Sequence, residues 1–223
     1  MTMPSHSAAT PLATIRANIA QSEKIAGRPA ASTTLIAISK TKPADAIEDL
    51  IEQGQRVFGE NRVQEAQAKF TDLRARHPDL ELHMVGQLQS NKADDAVALF
   101  DYIHSLDRMS LAKALAAAMD KAGRQVPCFV QVNIGEEDQK GGCAIAELPK
   151  FLADVRALGL PVIGLMAVPP ADVEPAPYFA LLANLTRDHG LDQLSMGMSG
   201  DYETAVRIGA THVRIGSALF GAR

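Results

Sequence analysis

The sequence predicts an α/β protein of the (β/α)8 barrel class, folded as one domain over residues 1–223. Three observations predict it. Strand-like and helix-like segments alternate strictly, eight such pairs follow one another, and the connections are too short for antiparallel alternatives. Strict alternation implies a parallel sheet. Eight units close naturally into a barrel, whereas a doubly wound sheet usually stops at about five or six strands. Hydrophobic residues make up 47% of the chain, mainly Ala, Leu, Val and Ile, which suits strands buried on both faces. No low-complexity linker divides the chain.

The elements are expected in this order. A first helix runs from about Pro11 to Ala26 and stops at Gly27. LIAIS (35–39) is a short apolar strand, and Pro43 opens a helix that Gly54 closes. Strand 56–59 precedes a helix over about 61–76, and strand 81–86 a helix over about 90–100. YIHSL (102–106) is followed by a helix that Asp107 caps and Gly123 closes. PCFVQVNI (127–134) is predicted as the longest strand, with a glycine-bearing loop and a helix over about 145–158 behind it. Strand 161–166 leads to a Pro-rich loop and a helix over 177–189. The seventh unit is QLSMGM with a helix over 200–208. The eighth is THVRIG (211–216) with a short helix to Phe220.

Composition removes several function classes. Net charge is −4 without a long run of either sign, which argues against binding nucleic acid or a membrane surface. Cys128 and Cys143 form no CxxC pair and lie near no His cluster, so neither zinc nor a disulfide framework is indicated. The N-terminal stretch has no basic segment followed by an apolar one, so no secretory signal is read there, and no apolar run approaches a membrane span. A cytoplasmic protein with reduced thiols is expected.

A barrel of this kind carries its active site at the C-terminal ends of its strands, often with phosphate held after strands seven and eight. Three segments fall there. Lys40, in Ser39-Lys40-Thr41-Lys42-Pro43, leaves a buried strand and can project its amine into the mouth. A carbonyl ligand needs that amine neutral, and burial with a neighbouring cation, Lys42, would favour this. Two solvated lysines in a loop is the alternative. In Met196-Gly197-Met198-Ser199-Gly200-Asp201, glycines admit an anion to the backbone and Ser199 offers a hydroxyl, against the plainer reading of a glycine turn with a Ser cap. Arg214, Gly216 and Ser217, at the end of strand eight, repeat that pattern, and Arg214 is either a fixed inward donor or a surface arginine. Together the two anion cups indicate a phosphorylated ligand.

Weaker candidates accompany them. Asn61 follows strand two at the same face, as a ligand contact or a helix cap. His83 and Met84 read as core, and His104, His189 and His212 show no metal-ligand spacing. Asp138 and Lys140, with the glycines of 135–142, suggest a flap with a second amine, or a plain solvated loop.

At this point the strings AISKTKP, FGENRVQE, LHMVGQLQSNK, QVNIGEEDQKGG, GLMAVPP and SMGMSGDYETAVRIGATHVRIGSALFGAR come together. They resemble the pyridoxal 5′-phosphate (PLP) homeostasis proteins (YggS/PROSC type) from about Leu35 to Arg223. The resemblance implies a PLP-binding barrel related to the N-terminal domain of alanine racemase, of PLP fold type III. On it, Lys40 carries the cofactor as a Schiff base, while Ser199, Gly216 and Ser217 hold the phosphate. Arg214 faces the pyridine nitrogen, disfavouring its protonation and weakening the ring as an electron sink, and Asn61 lines the pocket. Gln87 stands where relatives commonly have Pro, and Gly141 where they have Ser or His.

The resemblance implies a protein that buffers PLP and hands it transiently to PLP-dependent apo-enzymes, with no catalytic residue and no metal. The alternative is a PLP-dependent amino-acid racemase. Racemisation needs a base on each face of the substrate, and alanine racemase draws its second, a tyrosine, from a further domain that this sequence does not offer. None of Tyr102, Tyr178 and Tyr202 lies in a motif opposite Lys40. A Schiff-base aldolase or sugar-phosphate isomerase would need a carboxylate beside the lysine, and Glu60 is the nearest. A monomer is expected.

Overall fold

Eight short segments, each bounded by turns and mostly buried, become the strands, with β-branched residues concentrated in β1, β6 and β8. In the computed structural model, which describes residues 9–221, they are β1 (Thr34–Ile38), β2 (Val57–Glu60), β3 (Glu81–Met84), β4 (Tyr102–Leu106), β5 (Cys128–Gln131), β6 (Val162–Met166), β7 (Gln193–Ser195) and β8 (His212–Ile215). All neighbours pair in parallel, and β8 returns to β1 with Ala37 opposite Ile215, so the barrel is closed. The helices are α1 (Pro11–Ile25), α2 (Ala44–Glu52), α3 (Val63–Arg76), α4 (Ala93–Leu99), α5 (Met109–Ala122), α6 (Leu148–Ala157), α7 (Ala176–Asp188), α8 (Tyr202–Ile208) and α9 (Ser217–Phe220). The predicted (β/α)8 barrel is the observed one.

Strand alternation divides the side chains into two populations. Outward residues meet the helices in one continuous apolar shell, as where Phe58 of β2 lies 5.8 Å from Phe70 of α3, ring to ring. Inward residues fill the barrel. A Cβ built on Gly59 would strike Ile36 and Ile38, so all three positions face the interior. Beside Ile36 and Phe129, that interior holds a buried polar group: His83, His104, Ser195, His212 and Arg214.

Helix ends follow local chemistry. Thr10 caps α1 by accepting the Ala13 N–H at 3.3 Å, with Pro11 in the first turn. Gly123 ends α5 in the left-handed conformation, as expected. Three expectations need correction. β5 covers only Cys128–Gln131, because Val132 bridges to Cys143 and the chain then turns at Asn133, whose side chain bonds to Glu137. α5 starts one residue later than a cap at Asp107 implies. Arg108 is its boundary residue, and the Asp107 carboxylate is engaged by the Arg108 guanidinium at 2.6 Å. α8 begins at Tyr202, so Gly200 and Asp201 form a turn rather than its first residues.

Cys128 and Cys143 are free and buried, and burial pushes their thiols up to about 12 and about 11. Among the described residues, no helix is long and apolar enough to cross a membrane. The absence of a secretory signal was read from a stretch whose first eight residues lie outside the described ones.

Candidate functional site

A cavity of about 510 Å³ opens at the C-terminal ends of the strands, and Lys40, Asn61, Ser199, Arg214, Gly216 and Ser217 all line it. These six come from four segments, after β1, β2 and β7 and at the end of β8, and the fold brings them to one place.

Lys40 reaches the cavity through the alternation of β1. Ile36 and Ile38 point inward, so the residue two further on shares their face, and Lys40 is half-buried there. Thr41 next to it adopts φ 63°, a left-handed conformation that a β-branched residue rarely takes, so the turn must be held by its surroundings. The hold comes from β2 and α3. Ser39 Oγ donates to Glu60 Oε1 at 2.6 Å, Lys69 Nζ donates to Ser39 O at 2.8 Å and Lys42 O at 3.4 Å, and Glu65 accepts the Thr41 N–H. Lys69 also pairs with Glu60 at 2.6 Å and Glu65 at 3.0 Å.

Glu60 is fully buried with Oε2 unpartnered, and desolvation raises its carboxyl despite Lys69 and Ser39. Glu65 is also desolvated, but the Thr41 N–H and Lys69 hold it below the ordinary range. Glu60 points away from the cavity and is spent on the turn. It does not stand beside Lys40 as an acid–base group. Lys42 lines the cavity, yet its ammonium is turned to Phe220, 3.3 Å from the carbonyl and 5.9 Å over the ring.

The anion cup is a joint between two loops. Ser199 Oγ accepts the N–H groups of Gly216 and Ala218, each at 3.3 Å. A hydroxyl has two acceptor positions and one hydrogen, so the hydrogen of Ser199 remains to be donated. Ser217 stands exposed at the rim. Arg214 is the inward donor, 6% exposed: Nη1 donates to Ser195 Oγ at 2.6 Å and Nη2 to Ala167 O at 2.9 Å. Burial lowers its guanidinium to about 10, opposed by Asp201, so it stays charged at neutral pH.

Asn61 lines the cavity and does not cap α3, whose boundary residue is Arg62. Gly86 is required beside it: a Cβ there would lie 2.4 Å from the Asn61 carbonyl oxygen. Lys140 does not line Lys40's cavity but an adjoining one that shares Val168, Met198 and Gly200 with it; it is paired with Glu137 at 2.6 Å and bonded to Pro169 O at 3.1 Å, so the 135–142 loop is tied down at this point. Gln87 and Gly141, the two departures noted in the sequence, are one feature. The Gln87 amide nitrogen sits 1.5 Å from where a Cβ on residue 141 would stand. None of the three tyrosines lines the cavity, and Tyr202 instead accepts from Asn18 of α1 at 2.9 Å.

Ser195, Lys69 and Glu65 were not singled out from the sequence. Glu65 and Lys69 carried a signal, an i,i+4 pair on one helix face, and Ser195 another, a polar residue in a buried strand. His83, read as core, and His104 and His212, read as structural or exposed, are all buried and gather within about 6 Å of one another: His83 and His104 have ring centroids 5.0 Å apart, and His212 lies 6.0 and 5.9 Å from them.

Known proteins share this architecture. The family model described as alanine racemase, N-terminal domain, matches residues 11–223. The pyridoxal phosphate homeostasis protein of Pseudomonas aeruginosa is 41% identical, covering 95% of this chain and 94% of the relative. That of Escherichia coli K12 is 40% identical, covering 95% of each. The structure of PipY from Synechococcus elongatus PCC7942 with PLP bound superposes with a TM-score of 0.79 at 39% identity, covering 91% of this chain and 100% of that one. Alanine racemase of Clostridium difficile 630 shares the fold alone, with a TM-score of 0.67 at 14% identity over 93% of this chain and 56% of the racemase. This chain belongs to the alanine racemase N-terminal domain family and, within it, to the pyridoxal phosphate homeostasis proteins.

Proposed function

We propose that the chain binds PLP through Lys40 and acts as a store that buffers the cofactor and releases it to PLP-dependent apo-enzymes, without catalysis of its own. The observation that carries this is the convergence, in one cavity, of a half-buried lysine, a buried arginine and a serine hydroxyl with a hydrogen to donate. That donor set fits an aldehyde bearing an aromatic ring nitrogen and a phosphate. The Lys40 amine adds to the aldehyde carbon and water leaves, giving a Schiff base. Ser199 and the Gly216–Ser217 turn hold the phosphate, Arg214 faces the ring nitrogen and Asn61 closes one side. The ligand of PipY and the names of the curated relatives support the same reading.

The bound cofactor supplies an electron sink. A donor such as Arg214 opposite the ring nitrogen keeps that nitrogen unprotonated and the sink weak. The racemase reading needs a second base facing Lys40, and the tyrosines are spent elsewhere. We place the protein in the cytoplasm, consistent with its buried free thiols, and read it as a monomer.

The test is transfer. PLP-loaded protein is mixed with the apo form of a PLP enzyme, and recovered activity is compared with that from Lys40→Ala protein treated alike. Recovery from the wild type alone supports the store. Equal recovery from both, or exchange of an amino acid's Cα hydrogen for deuterium with turnover, contradicts it.

A further inference from the structure

The barrel interior holds an uninterrupted hydrogen-bonded series behind the ligand cavity. Glu81 Oε1 lies 2.7 Å from His83 Nε2, and His83 Nδ1 lies 2.8 Å from His104 Nε2. His104 Nδ1 lies 2.8 Å from Ser195 Oγ, which accepts from Arg214 at 2.6 Å. The series starts at the first residue of β3, where the Glu81 side chain is 39% exposed, and ends at the guanidinium lining the cavity. It therefore runs from one end of the barrel to the other. Both imidazoles are fully buried: Tyr102 stacks on His83 at 4.5 Å, and Phe129 on His104 at 4.2 Å.

The chemistry of the two ends fixes the direction of every link. A guanidinium only donates and an ionised carboxylate only accepts. The His83 N–H holds Glu81 below the ordinary carboxylate range, so its charge is retained at neutral pH. With one hydrogen on each imidazole, only one arrangement satisfies all four contacts. Arg214 donates to Ser195, Ser195 to His104 Nδ1, His104 Nε2–H to His83 Nδ1, and His83 Nε2–H to Glu81. The opposite arrangement needs an extra proton on His83 or on Glu81 and leaves the Ser195 hydrogen without an acceptor in the series.

We propose that Ser195, His104, His83 and Glu81 are positioning residues for Arg214. They form a one-way chain that locks the guanidinium against the ligand cavity, with both imidazoles carrying their hydrogen on Nε2. Because the Ser195 hydrogen is committed to His104, its lone pair is presented to Arg214, and the series ends on the Glu81 carboxylate. His212 stays outside the chain, bonded to Thr211 Oγ1 at 2.9 Å. The effect on a bound ring nitrogen rests on the PLP reading above; the chain itself does not.

The experiment uses full-length protein labelled with nitrogen-15 histidine, first without added cofactor and then loaded with PLP. Long-range hydrogen–nitrogen correlations of the unloaded wild type are expected to show His83 and His104 both as neutral Nε2–H tautomers at neutral pH. An Nδ1–H form or a charged ring at either position overturns the proposal. Ser195→Ala is expected to release the fixed His104 tautomer, shift the visible band of bound PLP and weaken PLP retention about tenfold, the cost of a hydrogen bond to a charged group. Ser195→Thr keeps the hydroxyl and is expected to restore all three. Unchanged His104 signals and retention in Ser195→Ala also overturn it. Should the alanine variant fail to fold, the wild-type tautomers still decide. If wild-type protein takes up no PLP, the proposed function fails, and the tautomers judge the chain independently.

Discussion

Ser199 and Gly216 stand after neighbouring strands, and the hydroxyl oxygen of the first accepts the N–H of the second at 3.3 Å. One side chain thus joins the loops after β7 and β8 and still has a hydrogen for an anion. Ser199→Ala removes the joint and the donor together. A loss of about 1 kcal/mol in stability and of about tenfold in PLP affinity is expected. Calorimetric titration with PLP checks the second figure, and unchanged affinity would remove Ser199 from the cup.

The turn carrying Lys40 depends on a charge it does not contain. Lys69 is 12% exposed and Glu60 fully buried, so Lys69→Met strands a carboxylate in the interior, at a cost of about 3–5 kcal/mol. Replacing both, as Lys69→Met with Glu60→Leu, removes the stranded charge and recovers most of that loss. Urea unfolding of the single and double variants measures it; a double variant as unstable as the single one would contradict the pairing.

Gly86 permits the backbone of Asn61 to pass close by. Gly86→Ala puts a methyl 2.4 Å from the Asn61 oxygen and 2.6 Å from its Cα, so backbone must move, with a loss of about 1–3 kcal/mol. The displacement falls on a cavity wall, and PLP affinity is expected to drop as well. Thermal unfolding that matches the wild type would show that the strand ends yield freely.

Stability should fall in mild acid. Burial holds His104 well below the ordinary histidine range, helped by His83, His212 and Arg214, and lowers His212 to about 3, helped by His83. In the unfolded chain these rings titrate near pH ~6.5, so below that the unfolded state takes up protons the folded state refuses. The contribution is complete above pH ~6.5 and is lost as pH falls, at about 1.4 kcal/mol per pH unit for each ring. Glu60, raised by burial, works in the opposite sense in the range above the ordinary glutamate value, one carboxyl against two imidazoles. A urea midpoint clearly lower at pH ~5 than at pH ~7.5 is the expected result. A midpoint that does not move would contradict the neutral interior.

Alternation and turn residues made the barrel legible, because each depends on near neighbours in the chain. Lys40, Ser199 and Gly216 were legible for the same reason: barrel geometry names the strand ends at which chemistry collects. The boundaries at β5 and α8 were not, since Val132 pairs with Cys143 and the Gly200–Asp201 turn precedes the helix. The chain from Glu81 to Arg214 was hidden for a different reason. Its members lie on β3, β4, β7 and β8, and only closure of the sheet puts His104 and Ser195, 91 residues apart, within 2.8 Å. Lys69 was hidden more simply, since its target is a turn some thirty residues earlier, on the neighbouring strand's end.

The central claim is that Lys40 is the amine that captures the cofactor. Reduction of PLP-loaded protein with borohydride fixes the adduct, and peptide mass spectrometry locates it. One adduct is expected, on Lys40, and none in Lys40→Ala protein. An adduct on Lys42, Lys140 or any other lysine, with Lys40 unmodified, would contradict it.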